Sequence, residues 1–169
     1  MKVLASLAGG LAGAITVTIL HELVRKIDPS APRLDLVGQK ATEKLVQKTG
    51  YKPPTGNNLY ATSLAGSLLA NTLTYSLAGM SGKRPLSFGT IMGATMGLSA
   101  VTLPDKLGLN GAHVQHSQRK KWMTMILYIA GGLIATAVAR RVEKRKKKRI
   151  VSPYKAPDEA WKPVLDIMV

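Results

Sequence analysis

The sequence predicts an all-α polytopic membrane protein, with four transmembrane helices plus an interfacial amphipathic helix. Three observations carry that prediction. Four segments, at about residues 3–20, 59–81, 86–103 and 122–139, contain no Asp, Glu, Lys or Arg. A hydrocarbon core of ~30 Å needs ~20 apolar residues, and ~17–25 are tolerated. Within these segments small residues recur at a spacing of four, the pattern that lets membrane helices approach closely. The charge lies outside them, with 24 Lys plus Arg against 9 Asp plus Glu and a formal net charge of +15 over 169 residues. A soluble protein with that charge would point to nucleic acid, but here the cations flank long apolar runs. A soluble Ala/Gly-rich bundle is the competing reading. It is disfavoured because none of the four segments carries the charged stripe of a surface helix.

The first span follows Met1-Lys2 and continues into HELVRK without a small-x-small cleavage pattern, so it reads as a retained helix rather than a signal peptide. Gly9 and Gly13 form its small-residue ridge. Pro29 and Pro32 then stop the helix. From about residue 33 to 49 a second pattern places Leu34, Val37, Ala41 and Leu45 on one face and mainly charged residues on the other. That segment is too polar to span and is expected to lie flat at the interface or to pack on the protein itself. Gly50 and Pro53-Pro54 end it.

The second span carries Ser63, Ser67, Asn71 and Thr74 on one face and Leu69, Leu73 and Leu77 on another. A polar stripe of this kind faces other helices or water rather than lipid. Asn71 is expected to act as interhelical glue, and Gly66 with Ala70 supplies a small-residue step. The third span, SFGTIMGATMGLSAVTL, stacks Gly89, Gly93 and Gly97 on one ridge. Each glycine in a helix interior costs about 1 kcal/mol relative to alanine, a cost that close helix packing can offset. Gly132 with Thr136 gives the fourth span its own step.

The first domain is therefore expected at 1–141. Residues 142–169 form a basic juxtamembrane segment and an extended C-terminal docking tail. The block RRVEKRKKKR supplies Arg140, Arg141, Lys144, Arg145, Lys146, Lys147, Lys148 and Arg149 as a clamp for anionic lipids. Aromatic interleaving suited to single-stranded nucleic acid is missing, so nucleic acid is a minor alternative. The tail beyond it carries Tyr154, Trp161 and Leu165 as candidate partner-docking anchors.

Four spans place both termini on one side, with thirteen cations there and eleven on the other. The dense basic block decides for cytoplasmic termini. A bacterial inner membrane is the expected location, with an organelle inner membrane as the alternative.

Chemistry-bearing motifs are sparse. Cysteine is absent, which removes thiolate metal sites and cysteine nucleophiles. No nucleophile motif, phosphate loop or intramembrane carboxylate pair occurs. His21, His113 and His116 are weak candidates for a metal, haem or quinone site; His21 reads better as an interfacial anchor with Glu22, Arg25 and Lys26. No cofactor and no catalysis are expected.

The Gly/Ala-rich first span, the polar proline-bearing loop and the Gly-rich third span ending near TLPDKLGL resemble the YagU-like small four-helix bacterial inner-membrane proteins over about residues 5–110. The resemblance implies four spans and no particular activity.

The expected function is a non-catalytic accessory or scaffolding subunit of a larger membrane complex, of respiratory, energy-coupling or secretion type. Its partners would be other integral membrane subunits and anionic lipids. The alternatives are a self-assembled small-solute channel lined by the Ser63–Thr74 stripe, and a membrane anchor recruiting an acidic partner or nucleic acid through the basic tail.

Overall fold

The computed structural model describes residues 2–80 and 85–150, with side chains at 3–80 and 86–145. Among these residues the only regular structure is helical. In chain order the helices are α1 (Lys2–Ile27), α2 (Leu34–Lys48), α3 (Gly56–Gly79), α4 (Pro85–Lys106), α5 (Ala112–Gln115) and α6 (Gln118–Ile150). Three are long and apolar enough to cross a membrane: α1 over Val3–Ile27, α4 over Leu86–Lys106 and α6 over Gln118–Arg145. The sequence reading of four spans is met for these three. The fourth, α3, has the length (24 residues) but is diluted by Ser, Thr, Asn and Gly.

The four long helices run antiparallel to their neighbours in the spatial order α3, α1, α6, α4. Gly9 and Gly13 of α1 lie against Ala135, Ala139 and Gly131 of α6, whereas Gly10 lies against Thr72 and Ser76 of α3. The ridge of Gly89, Gly93 and Gly97 lies against α6 at Gly132, Tyr128, Ile129 and Met125. A methyl group on Gly93 would stand 2.5 Å from the Tyr128 carbonyl oxygen and 2.6 Å from Ile129 Cα. These separations leave no room for any side chain, so the glycines permit backbone-to-backbone contact. Gly66 is different. Nothing lies within 4 Å of where its Cβ would be, so it packs no helix of this chain.

The core of the bundle is small and centred on one aromatic. Ala14, Val17, Tyr75 and Ala135 are buried together, with Leu68, Met92, Met96 and Tyr128 packed around them. Tyr75 is fully buried, and its hydroxyl donates to the Tyr128 carbonyl at 2.7 Å. The outer faces carry Leu11, Ile15, Ile19, Leu69, Leu73, Leu77, Ile91 and Leu98, all exposed. An apolar outside around a small-residue inside is the arrangement suited to lipid rather than water.

Beyond the apolar run of the first span, α1 continues as helix through HELVRK to Ile27, just before Pro29. The basic block is helical, because α6 carries through it to Ile150. Arg140, Arg141, Lys144 and Arg145 are exposed on that helix. The side chains of Lys146, Lys147, Lys148 and Arg149 lie outside the described residues, as do the tail anchors Tyr154, Trp161 and Leu165.

α2 sits at the end of the bundle where α1 ends and α6 begins. Val37 packs with Leu109 and Val114 in a second cluster, flanked by Leu34 and Ala41. Leu45, expected on the same apolar face, is exposed. The helix therefore packs on the protein itself over its first half.

α4 ends in a left-handed turn at Gly108 (φ +65°), with Leu109 N–H donating to Pro104 O at 2.7 Å and Gly108 N–H to Asp105 O at 2.9 Å. Only glycine takes that φ without strain. Lys44 of α2 donates from Nζ to Leu107 O at 3.0 Å, placing a cation on the carbonyl end of α4.

Candidate functional site: a cleft between α3 and α4

Because α1 and α6 take up most of the contact area, α3 and α4 meet over few residues and stand apart along one side. The gap is a cleft of about 650 Å³. Its floor is Val17, Thr18 and His21 of α1 with Tyr128 of α6. Ser67, Ala70, Asn71 and Thr74 of α3 form one wall, and Met92, Thr95, Met96 and Ser99 of α4 form the other. Leu34, Asp35, Val37, Gly38 and Ala41 of α2 roof it. Gly38 lets α2 come down onto α3, where a Cβ would stand 2.7 Å from Ser63 Oγ.

The polar stripe read from α3 thus divides. Ser63 is buried beneath α2, while Ser67, Asn71 and Thr74 line the cleft. Asn71 lies beside the Tyr128 hydroxyl, across the floor from its own helix.

His21 turns inward. Its ring packs edge-on against Tyr128, with centroids 5.8 Å apart and planes at 68°, and its Nε2 is buried without a hydrogen-bond partner. A buried polar atom with no partner is rare in native proteins and calls for an explanation. His113 contributes its backbone carbonyl to Arg33 N–H at 3.1 Å and belongs to α5. The described residues contain no group of three or more His, Cys, Asp or Glu that could hold a metal ion.

Glu22 and Arg25, expected to face the interface with His21, instead tie α2 to the bundle. Arg25 pairs with Glu22 on its own helix and with Asp35 of α2 at 2.9 Å. Arg33 also pairs with Asp35 at 2.8 Å, and the Tyr60 hydroxyl of α3 donates to Glu22 at 3.0 Å. Two carboxylates and two guanidiniums thus neutralise one another at the cleft's roof. A further pair, Arg119 to Asp28 at 2.8 Å, joins the start of α6 to the α1–α2 turn.

Partial burial pushes the Asp35 carboxyl up, but the hydrogen bond and charge of Arg33, with the charge of Arg25, more than offset this and hold it below the usual carboxylate range. The folded protein therefore binds that proton less readily than the unfolded chain. The stabilisation is complete above the ordinary carboxylate range and is lost as pH falls through the lower folded value. Asp35→Asn is expected to loosen α2 at neutral pH by about 1–2 kcal/mol, the scale of a charged hydrogen bond. Hydrogen exchange of the α2 amides, corrected for intrinsic rate, would read this directly. The wild type should show the same loosening only in acid. Unchanged α2 protection in the variant would remove Asp35 from the clamp.

Sequence reasoning singled out His21 as a weak site candidate but missed the cleft and the other aromatic of its floor, Tyr128. Tyr128 could have been suspected as the partner of a polar stripe, since it sits mid-span in α6. Comparison of the chain with protein families, curated proteins and solved structures finds no match.

Proposed function

We propose that this chain is a four-pass, non-catalytic accessory subunit of a larger membrane assembly. In this reading α3 also crosses the bilayer. At 24 residues it is about 36 Å long, it carries no Asp, Glu, Lys or Arg, and it lies antiparallel alongside α1.

The observation that carries the assembly role is Gly66. The ridges at Gly9 and Gly13, at Gly89, Gly93 and Gly97, and at Gly132 all meet other helices of this chain. Gly66 meets none among the described residues, and its neighbours one turn away, Thr62 and Ala70, are exposed as well, Ala70 at the edge of the cleft. A lipid-facing surface normally carries bulky side chains that fill the contact with acyl tails. The notch that Gly66 leaves beside the exposed Leu69 and Leu73 is better matched by a side chain of a second helix. The exposed Arg140, Arg141, Lys144 and Arg145 at the end of α6 suit an anionic leaflet, each contributing about 1 kcal/mol. They would fix the orientation of the subunit.

The test is purification in mild detergent with mass spectrometry of what accompanies the protein. Wild type should bring down one or more integral membrane proteins. Gly66→Leu is expected to cut that recovery by about ten-fold, or 1.4 kcal/mol, while leaving the chain folded, since no atom of the described residues stands in the way. Recovery of the wild type solely as a monomer would sink the proposal.

A further inference from the structure

We propose that the cleft between α3 and α4 is a binding site for an uncharged lipid with a hydroxyl-bearing head, held against His21. The inference rests on membrane placement of the bundle and not on the assembly role.

Size comes first. About 650 Å³ lies within the range of ~300–1,000 Å³ typical of sites for small amphiphiles. The wall chemistry is divided. Met92, Met96 and Leu103 offer flexible apolar surface for a chain. Ser67, Asn71 and Thr95 offer hydrogen bonds.

Charge decides the class of head group. The described residues lining the cleft include no Lys or Arg, so a phosphate or carboxylate would find no counter-ion. The two lining carboxylates, Glu22 and Asp35, are already paired with Arg25 and Arg33. Paired in this way, they leave no free charge for an anion or for a cation. An ionised head would be left uncompensated in a low-dielectric site at a high cost.

His21 supplies the independent mark. Its ring lines the cleft floor, and its Nε2, covered by the surrounding side chains, has no partner among the described residues, so a small turn of the ring would present it to an occupant. An imidazole nitrogen is a donor or an acceptor according to tautomer. A hydroxyl group satisfies either, which a carbonyl (acceptor only) or an ammonium (donor only) does not. The occupant therefore orients its head toward the α2 end, beneath the neutralised Glu22–Arg25–Asp35 cluster, and runs its chain along the methionines of α4 toward the exposed lipid faces.

The full-length protein in detergent micelles tests this with two photoreactive probes that share one diazirine-bearing C16 chain. One is a monoacylglycerol, the other the free fatty acid. After irradiation, labelled peptides are mapped by mass spectrometry. The monoacylglycerol is expected to label residues 67–74 and 92–99, and unlabelled 1-palmitoylglycerol should compete that labelling away. Thr95→Trp fills the cleft from an exposed wall position and should reduce the signal at least ten-fold. His21→Phe keeps the ring stack on Tyr128 but removes the hydrogen bond, and should weaken labelling several-fold. Three results would each overturn the proposal. One is fatty-acid labelling equal to that of the acylglycerol. Another is labelling confined to the outer faces around Leu69, Leu73, Ile91 and Leu98 and indifferent to Thr95→Trp. The last is a cleft shielded from both probes by a co-purified protein's helix.

Discussion

Gly93→Leu is expected to remove most of the folded protein from the membrane fraction. The position faces the Tyr128 carbonyl and Ile129 Cα of α6, and a first carbon there would already stand 2.5 and 2.6 Å from them. Neither atom is the movable end of a flexible side chain. Both belong to a helix backbone, and α6 is itself held on its other side by Gly9 and Gly13. Relief therefore requires the whole α4–α6 interface to open.

Overpacking by a methylene or two costs about 1–3 kcal/mol where side chains can shift. Here they cannot, so even Gly93→Ala should fall at the upper end of that range. The isobutyl group of leucine should exceed what a domain with ~5–15 kcal/mol of stability can absorb alongside its lost packing. Membrane-fraction abundance and size-exclusion profile of a fluorescent fusion would measure it. Gly66→Leu is the matched control, since it adds the same group to a glycine with no neighbour within 4 Å. Equal yields of the two variants would mean that the α4–α6 contact is not what holds the bundle together.

That pair of glycines also shows what could be read in the sequence. The spacing of Gly89, Gly93 and Gly97 announces a ridge because helical periodicity alone puts them on one face. The same spacing at Gly66 and Ala70 looks identical in sequence, yet no helix of the chain covers it. Periodicity specifies which residues share a face, while the partner of that face depends on how four helices are arranged. The α2 pattern likewise identified a helix and its apolar face at Leu34, Val37 and Ala41. Leu45 escaped the reading because α2 extends past the surface it packs on. The inward packing of His21 was hidden for a related reason. Its position after an apolar run was visible, but that its ring meets Tyr128 of α6 depends on how α1 and α6 are arranged. The cleft was illegible, because its lining comes from five helices whose separation no local pattern encodes.

Tyr75→Ala is expected to be the most costly single truncation in the core. Tyr75 is the largest fully buried side chain, on a helix otherwise packed through Ser76, Ala78 and Gly79. It reaches across to α1 and α6, where Cβ atoms built on Gly13 and Gly131 would lie 3.2 Å and 2.7 Å from its ring carbon and hydroxyl. The glycines at 13 and 131 therefore serve two purposes: they bring α1 and α6 together and leave the space that the Tyr75 ring fills. Removing the ring leaves a void that backbone-to-backbone contacts cannot collapse into, and large-to-small aromatic truncation in a core costs about 3–5 kcal/mol. The hydroxyl is a smaller part of this. Tyr75→Phe gives up one bond to the Tyr128 carbonyl, worth about 0.5–1.5 kcal/mol, while keeping the packing. Titrated unfolding of the three proteins in mixed micelles should rank them wild type, Tyr75→Phe, Tyr75→Ala, with the second gap at least twice the first. A Phe variant as unstable as the Ala variant would assign the core to the Tyr75–Tyr128 hydrogen bond instead of to the volume of the ring. It would also make Tyr128, which the cleft shares with Asn71 and His21, the residue through which packing and binding are coupled.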